Sequence, residues 1–104
     1  MNGTSRASAV ELSVVMPGYN EERTIEKSVS SWIEVLRQQD VPFEFLAYDD
    51  GSTDTTGERL RSLGRAFPEL TVRSQSNRGH GPTILRGYNE SSGAWVLQID
   101  SDGE

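Results

Sequence analysis

The sequence predicts an α/β fold, a mainly parallel sheet of four strands in the order 3-2-1-4 with helices flanking it. Three observations carry that prediction. Short apolar runs of strand character alternate with longer segments whose apolar residues recur at helical spacing, separated only by short breaks, which is the pattern of βαβ units. Parallel strands need right-handed crossovers, and four strands joined by three helices satisfy that rule most simply as a doubly wound sheet. Three of the strands, finally, run into acidic, turn-forming residues: Asn20-Glu21-Glu22, Asp49-Asp50-Gly51-Ser52 and Asp100-Ser101-Asp102.

Leu12-Ser13-Val14-Val15-Met16 reads as a buried strand closed by Pro17-Gly18. From Thr24 the apolar residues Ile25, Val29, Trp32, Ile33 and Leu36 share one helical face, carried to Gln39, and Pro42 marks the turn out. Phe43 to Tyr48 is the second strand. Asp54 stands at the N-cap of a second helix with Leu60, Leu63 and Phe67 on one face and Pro68 at its end. A third strand, Leu70 to Ser74, leads into Asn77-Arg78-Gly79-His80-Gly81. Pro82 suits the first turn of a third helix bearing Ile84, Leu85 and Tyr88, and Ser92-Gly93 opens the fourth strand, Ala94 to Ile99.

With 104 residues, 34% of them apolar, residues 12–104 make one small domain with a modest core. Residues 1–11 are small and polar and are expected to form a flexible tail; they lack the apolar stretch of a signal peptide, which points to a cytoplasmic chain. No run approaches the ~20 apolar residues of a membrane span. The net charge of −6, with nine scattered arginines and the single Lys27, excludes nucleic acid as a partner, since that binding rests on clustered cations that release counterions. The absence of Cys removes disulfides and thiolate chemistry and fits a reducing compartment.

The 3-2-1-4 order puts the switch in chain direction between strands 1 and 4, where a crevice opens at the carboxyl ends. The loop Pro17 to Glu22 and the triplet Asp100 to Asp102 face each other across it, with Asp49-Asp50 on the neighbouring strand. Two carboxylates one residue apart at a strand end suit a hard divalent cation, because residues i and i+2 can turn toward one point; a solvated turn is the plainer alternative. Pro17 and Tyr19 can wall a base pocket while the acidic side chains accept from base or ribose, although Glu21 and Glu22 equally complement the positive end of the following helix. Asp49 and Asp50 are adjacent on a strand and point to opposite faces, so only one enters the crevice, and Asp50 is the expected one. A calcium loop over residues 50–61 fails, with Thr55 where Gly is needed and Arg61 where a bidentate Glu belongs.

Asn77 to Gly81 can cradle phosphate at a helix N-terminus, with Arg78 balancing a diphosphate. It is neither a dinucleotide fingerprint, since Ile84 replaces the third Gly, nor a P-loop, since no Gly-Lys-Ser/Thr follows. His80, the lone histidine, has no catalytic partner and reads as a loop or capping residue.

Taken together and in order, the segments Val14 to Glu22, Asp49 to Asp54, Asn77 to Gly81 and Asp100 to Asp102 resemble the opening part of the family 2 glycosyltransferases, most of all the branch containing polyprenyl-phosphate sugar transferases. The resemblance runs through residues 12–104. It implies a Rossmann-like GT-A fold, a nucleotide-diphosphate sugar as donor, Mg2+ or Mn2+ as cofactor, and inversion at the anomeric carbon. By the same resemblance Pro17, Tyr19, Glu21 and Asp50 contact the nucleoside, Asp100 the ribose or the metal, and Asp102 is the principal metal ligand; Asn20, Arg78 and Gly79 complete the expected substrate-binding set. The implied acceptor is a lipid phosphate, met at a membrane surface by the full-length protein, or a saccharide. Family members continue beyond the Asp-x-Asp motif through strands that bind the acceptor and carry a catalytic base where one is used. The chain is therefore expected to be a donor-binding half with no assignable catalytic residue, and its fourth strand an open edge prone to self-association. Two other readings stand beside this one. A sugar-phosphate nucleotidyltransferase calls for a glycine-rich, basic loop after the first strand, whereas Pro17 to Glu22 is acidic; a non-catalytic nucleotide-binding or interaction fragment is separated by its lack of turnover.

Overall fold

A computed structural model describes residues 10–101. Its elements are β1 (Leu12–Gly18), α1 (Ile25–Arg37), β2 (Phe43–Asp50), α2 (Thr56–Ala66), β3 (Leu70–Gln75), α3 (His80–Glu90) and β4 (Trp95–Gln98). The sheet is parallel in all its pairs and ordered β3-β2-β1-β4, as the alternating periods predict.

Alternation along the two central strands divides the core. Val14, Met16, Phe45 and Ala47 pack with Ile25, Val29, Ile33 and Leu36 of α1 and Leu60 of α2, while Val15, Leu46 and Tyr48 turn to the other face and meet Ile84 of α3. After β3 the chain reverses direction across the sheet, and crossovers of constant hand then place α3 on the face opposite α1 and α2. Full burial of each large apolar side chain contributes about 1.5–3 kcal/mol, so this two-sided core is the main source of the fold's stability.

Several details depart from the expected pattern, each for a local reason. β1 continues through Pro17 and Gly18, which pair with Tyr48 and Asp49. Val15 O accepts from Ile99 N at 3.0 Å, so the odd-numbered residues of β1 direct their backbone groups toward β4. Because β4 ends at Gln98, the N–H that Pro17 lacks faces a side where no ladder remains. The face that α3 buries is Thr83, Ile84 and Gly87, not the expected Ile84, Leu85 and Tyr88; Leu85 and Tyr88 are exposed. Gly87 sets this rotation, since any Cβ there would run into the Val15 side chain, and the bare backbone lets the helix settle on β1. Thr55, not Asp54, occupies the N-cap of α2 and makes no capping bond, yet Asp54 Oδ1 accepts from Thr56 N at 2.9 Å and supplies the same service from one residue further back. Gln39, expected at the end of α1, lies in a turn beyond Arg37. β4 is an edge strand that pairs only with β1, and all four of its residues are exposed.

Candidate functional site

A cavity of about 490 Å3 opens at the carboxyl ends of β1 and β2, beside the point where β1 outruns β4. This is the switch position predicted from topology. β1 and the loop after it supply Pro17, Gly18, Tyr19 and Glu21, and β2 supplies Asp50; Asn77, Gly79 and His80 come from the approach to α3, and Asp100 and Ser101 from the segment after β4.

The loop after β1 is clasped to the loop after β2. Asn20 N donates to Ser52 Oγ at 2.9 Å and Thr53 N returns a bond to Asn20 Oδ1 at 2.8 Å. Glu21 N donates to Thr56 Oγ1 at 2.8 Å, and Glu22 Oε1 accepts from Thr55 N and Oγ1 at 3.0 and 2.6 Å. The Thr55 hydroxyl and amide also hold the Glu22 carboxyl below its ordinary range. Asn20 takes φ = 52°, a left-handed geometry that Asn tolerates better than most residues. Tyr19 and Glu21 are thereby left lining the cavity, while Asn20 and Glu22 are taken up in the clasp.

Asp50 is buried and almost saturated with donors. Its Oδ1 accepts from Gln75 Nε2 at 2.9 Å and Arg78 N at 2.8 Å, and its Oδ2 from Gly79 N at 3.0 Å. Asn77 Nδ2 donates to the Asp50 carbonyl at 3.0 Å. Burial is the strongest single influence on this carboxyl and pushes its pKa up, but the bonds from Gln75, Arg78 and Gly79 outweigh it and hold the group below its ordinary value. It stays ionised while anchoring the loop before α3. Gly51, with φ = 75°, makes that closeness feasible: a Cβ would lie 2.6 Å from Asn77 N. Asp49 points to the opposite face, as strand alternation requires, accepts from Ser52 N at 3.0 Å and lies against Gly57 of α2.

Of the residues anticipated from sequence, Pro17, Tyr19, Glu21, Asp50, Gly79 and Asp100 line the cavity. Asn20 and Arg78 do not: Asn20 serves the clasp, and Arg78, exposed, brings its backbone N–H to Asp50. Asp102, the expected principal metal ligand, lies outside the described residues. Among the described residues no three His, Cys, Asp or Glu side chains gather as a metal cluster. Gly18, Asn77, His80 and Ser101 are lining residues that sequence reasoning did not assign. His80 and Asn77 stood inside a segment already singled out; Ser101 lies between the two expected carboxylates.

The fold defines a class, an α/β domain of the GT-A type, with a crevice at the switch point of the sheet. The chain belongs to glycosyl transferase family 2, whose family model matches residues 13–104. Among curated relatives, a dolichol-phosphate mannosyltransferase from Pyrococcus furiosus is 30% identical over 93 residues, which is 89% of this chain and 26% of the relative. Among solved structures, the mannosyltransferase PcManGT of Pyrobaculum calidifontis, in complex with GDP-Man and Mn2+, superposes with a TM-score of 0.74 at 26% identity over 88% of this chain and 27% of that one. S. aureus TarS in complex with UDP-GlcNAc gives a TM-score of 0.74 at 33% identity, covering 89% and 27%. The chain thus spans about a quarter of the length of these proteins.

Proposed function

We propose that this chain forms the donor site of a glycosyltransferase that moves a sugar from a nucleotide-diphosphate sugar to a lipid-phosphate acceptor by a metal-dependent, inverting displacement. The observation that carries the reading is the cavity at the β1–β4 switch, which combines an apolar wall, buried acceptors and a glycine-bearing helix start within one nucleotide-sized space. Pro17 and the ring of Tyr19 take the base by stacking, and the carboxylates of Glu21 and Asp50 favour a base that presents a ring N–H over one that presents an acceptor. Gly79 and His80, at the start of α3, receive the diphosphate, where the helix end favours negative charge.

The donor chemistry at the rim fits Mg2+ or Mn2+: Asp100 is an exposed carboxylate beside the Ser101 hydroxyl, both hard oxygen donors, with Asp102 as the second carboxylate of the pair. A cation held there would neutralise charge on the departing diphosphate. The mannosyltransferase complex with GDP-Man and Mn2+ supports the donor class and the metal, the TarS complex with UDP-GlcNAc supports the donor class, and the name of the Pyrococcus relative supports a lipid-phosphate acceptor. A lipid phosphate is already anionic, so the acceptor oxygen needs no strong protein base. Among the described residues no helix is long and apolar enough to cross a membrane.

The test is transfer of labelled sugar from UDP- and GDP-sugars to a polyprenyl phosphate by the full-length protein, with and without Asp100→Ala. Metal-dependent transfer that Asp100→Ala abolishes is the expected result. Binding of nucleotide with no transfer to any acceptor would leave the non-catalytic reading in its place.

A further inference from the structure

We propose that Gln75, a β3 residue outside every sequence motif, is the positioning residue that holds Asp50 and the loop at residues 77–79 in the geometry used for nucleotide recognition. The inference rests on the nucleotide reading of the cavity. Gln75 Nε2 donates to Asp50 Oδ1 and to Thr83 Oγ1, each at 2.9 Å, and Thr83 Oγ1 passes a bond on to Gly79 O at 2.7 Å. Its Oε1 accepts from Arg86 Nη1 at 2.7 Å. A guanidinium has donors only, so the amide oxygen must face Arg86 and the NH2 must face Asp50; the reverse orientation would set donor against donor at one end and acceptor against acceptor at the other.

Arg86 is itself fixed. Its Nε pairs with Glu90 Oε2 at 3.0 Å, and its guanidinium carbon lies 5.4 Å from the centre of the Tyr48 ring. Glu90 Oε1 accepts from the Tyr48 hydroxyl at 2.6 Å and pairs with Arg73 Nε at 3.3 Å. A continuous chain of bonds therefore runs from Tyr48 in the core through Glu90, Arg86 and Gln75 to Asp50, whose carboxylate holds the Arg78 and Gly79 amides. Asp50 and Gly79 line the cavity; Gln75, Arg86 and Glu90 do not. Gln75 therefore acts through Asp50, by keeping the carboxylate in one rotamer with a donor on it.

Two substitutions test this. Gln75→Leu removes the donor, and Gln75→Glu, of equal size, replaces it with an acceptor that faces Asp50 across a bond length. Wild-type protein, titrated with UDP and GDP, provides the reference; each variant is expected to bind the preferred nucleotide about 10- to 100-fold more weakly near neutral pH. Acidification from about pH 7.5 to about pH 5.5 is expected to restore affinity in Gln75→Glu only, because a proton shared by the two carboxyl groups recreates the missing donor. The Gln75→Leu protein keeps the same His80, Arg73, Arg86, Glu90 and nucleotide phosphate, so the difference between variants isolates the new pair. Amide exchange without nucleotide provides a second readout: Arg78 and Gly79 should exchange faster in Gln75→Leu, with β1 and β2 amides unchanged. This arm decides the case if Gln75→Glu fails to fold. Wild-type affinity and wild-type protection in both variants would overturn the proposal. A wild-type protein that binds no nucleotide would instead remove the functional reading, and the positioning role with it, whatever the exchange data show of the loop.

Discussion

Asp50→Asn exchanges one carboxylate oxygen for an NH2 in a buried site where every neighbour is a donor. Placing the amide oxygen at the Oδ1 position keeps the bonds from Gln75 Nε2 and Arg78 N but turns the NH2 toward Gly79 N; the opposite choice forfeits the pair at 2.9 and 2.8 Å to keep one at 3.0 Å. The first arrangement is the cheaper. It loses one charge-assisted bond and leaves a donor facing a donor, which costs about 2–4 kcal/mol. For a domain of this size each kcal/mol moves the melting temperature by about 4–8 °C, so a fall of roughly 8–30 °C is expected by circular dichroism. The pH dependence gives a second check. Because the folded Asp50 carboxyl titrates below its ordinary value, its stabilisation is fully present above the unfolded value of ~3.9 and is lost as pH falls through the folded value. The gap between wild type and Asp50→Asn should therefore be constant from about pH 5 to pH 8 and shrink in stronger acid. A variant that melts within about 2 °C of wild type, or a gap that widens on acidification, would refute the anchoring role.

Gly87→Ala should destabilise by a net ~1–2 kcal/mol in urea unfolding, because the overlap with Val15 exceeds the helix-propensity gain, whereas Gly81→Ala, with open space around it, should gain up to ~1 kcal/mol; equal effects at both positions would show that α3 does not dock on Val15. Tyr48→Phe removes a part-buried 2.6 Å bond and should cost ~1 kcal/mol. Because the Tyr48 hydroxyl is the foremost influence holding the Glu90 carboxyl down, the same substitution should raise the Glu90 pKa in a carbon-detected NMR titration, and an unmoved titration would deny the bond.

Much of the architecture is legible in the sequence because it depends on periodicity. The strand runs, the alternation with helical spacing and the crossover rule fix the β3-β2-β1-β4 order, and that order alone locates the crevice. Adjacent carboxylates at a strand end must diverge, so the choice of Asp50 over Asp49 follows from strand geometry. What periodicity misses depends on exact approach. The rotation of α3 is set by one absent Cβ at Gly87, and a pattern of apolar residues cannot tell Ile84 with Gly87 from Ile84 with Leu85 and Tyr88. The clasp between Asn20 and Ser52-Thr53, and the chain from Tyr48 to Asp50 through Gln75, join polar residues from different elements whose pairing leaves no local signature. Asn20 was therefore legible as part of a site segment but not as a structural residue, and Gln75 was not legible at all.

The central claim is that the cavity at the carboxyl ends of β1 and β2 is where a nucleoside diphosphate binds, and backbone chemical-shift mapping with UDP or GDP in the presence of Mg2+ tests it most directly. The account predicts perturbations gathered on Pro17 to Glu21 (through neighbouring amides at the proline), Asp50, Asn77 to His80, and Asp100-Ser101. A second hollow of similar size lies at the amino ends of the strands, lined by Val10, Arg37, Phe43 and Glu69 among others. Shifts gathered there, or none at saturating nucleotide, would contradict the account.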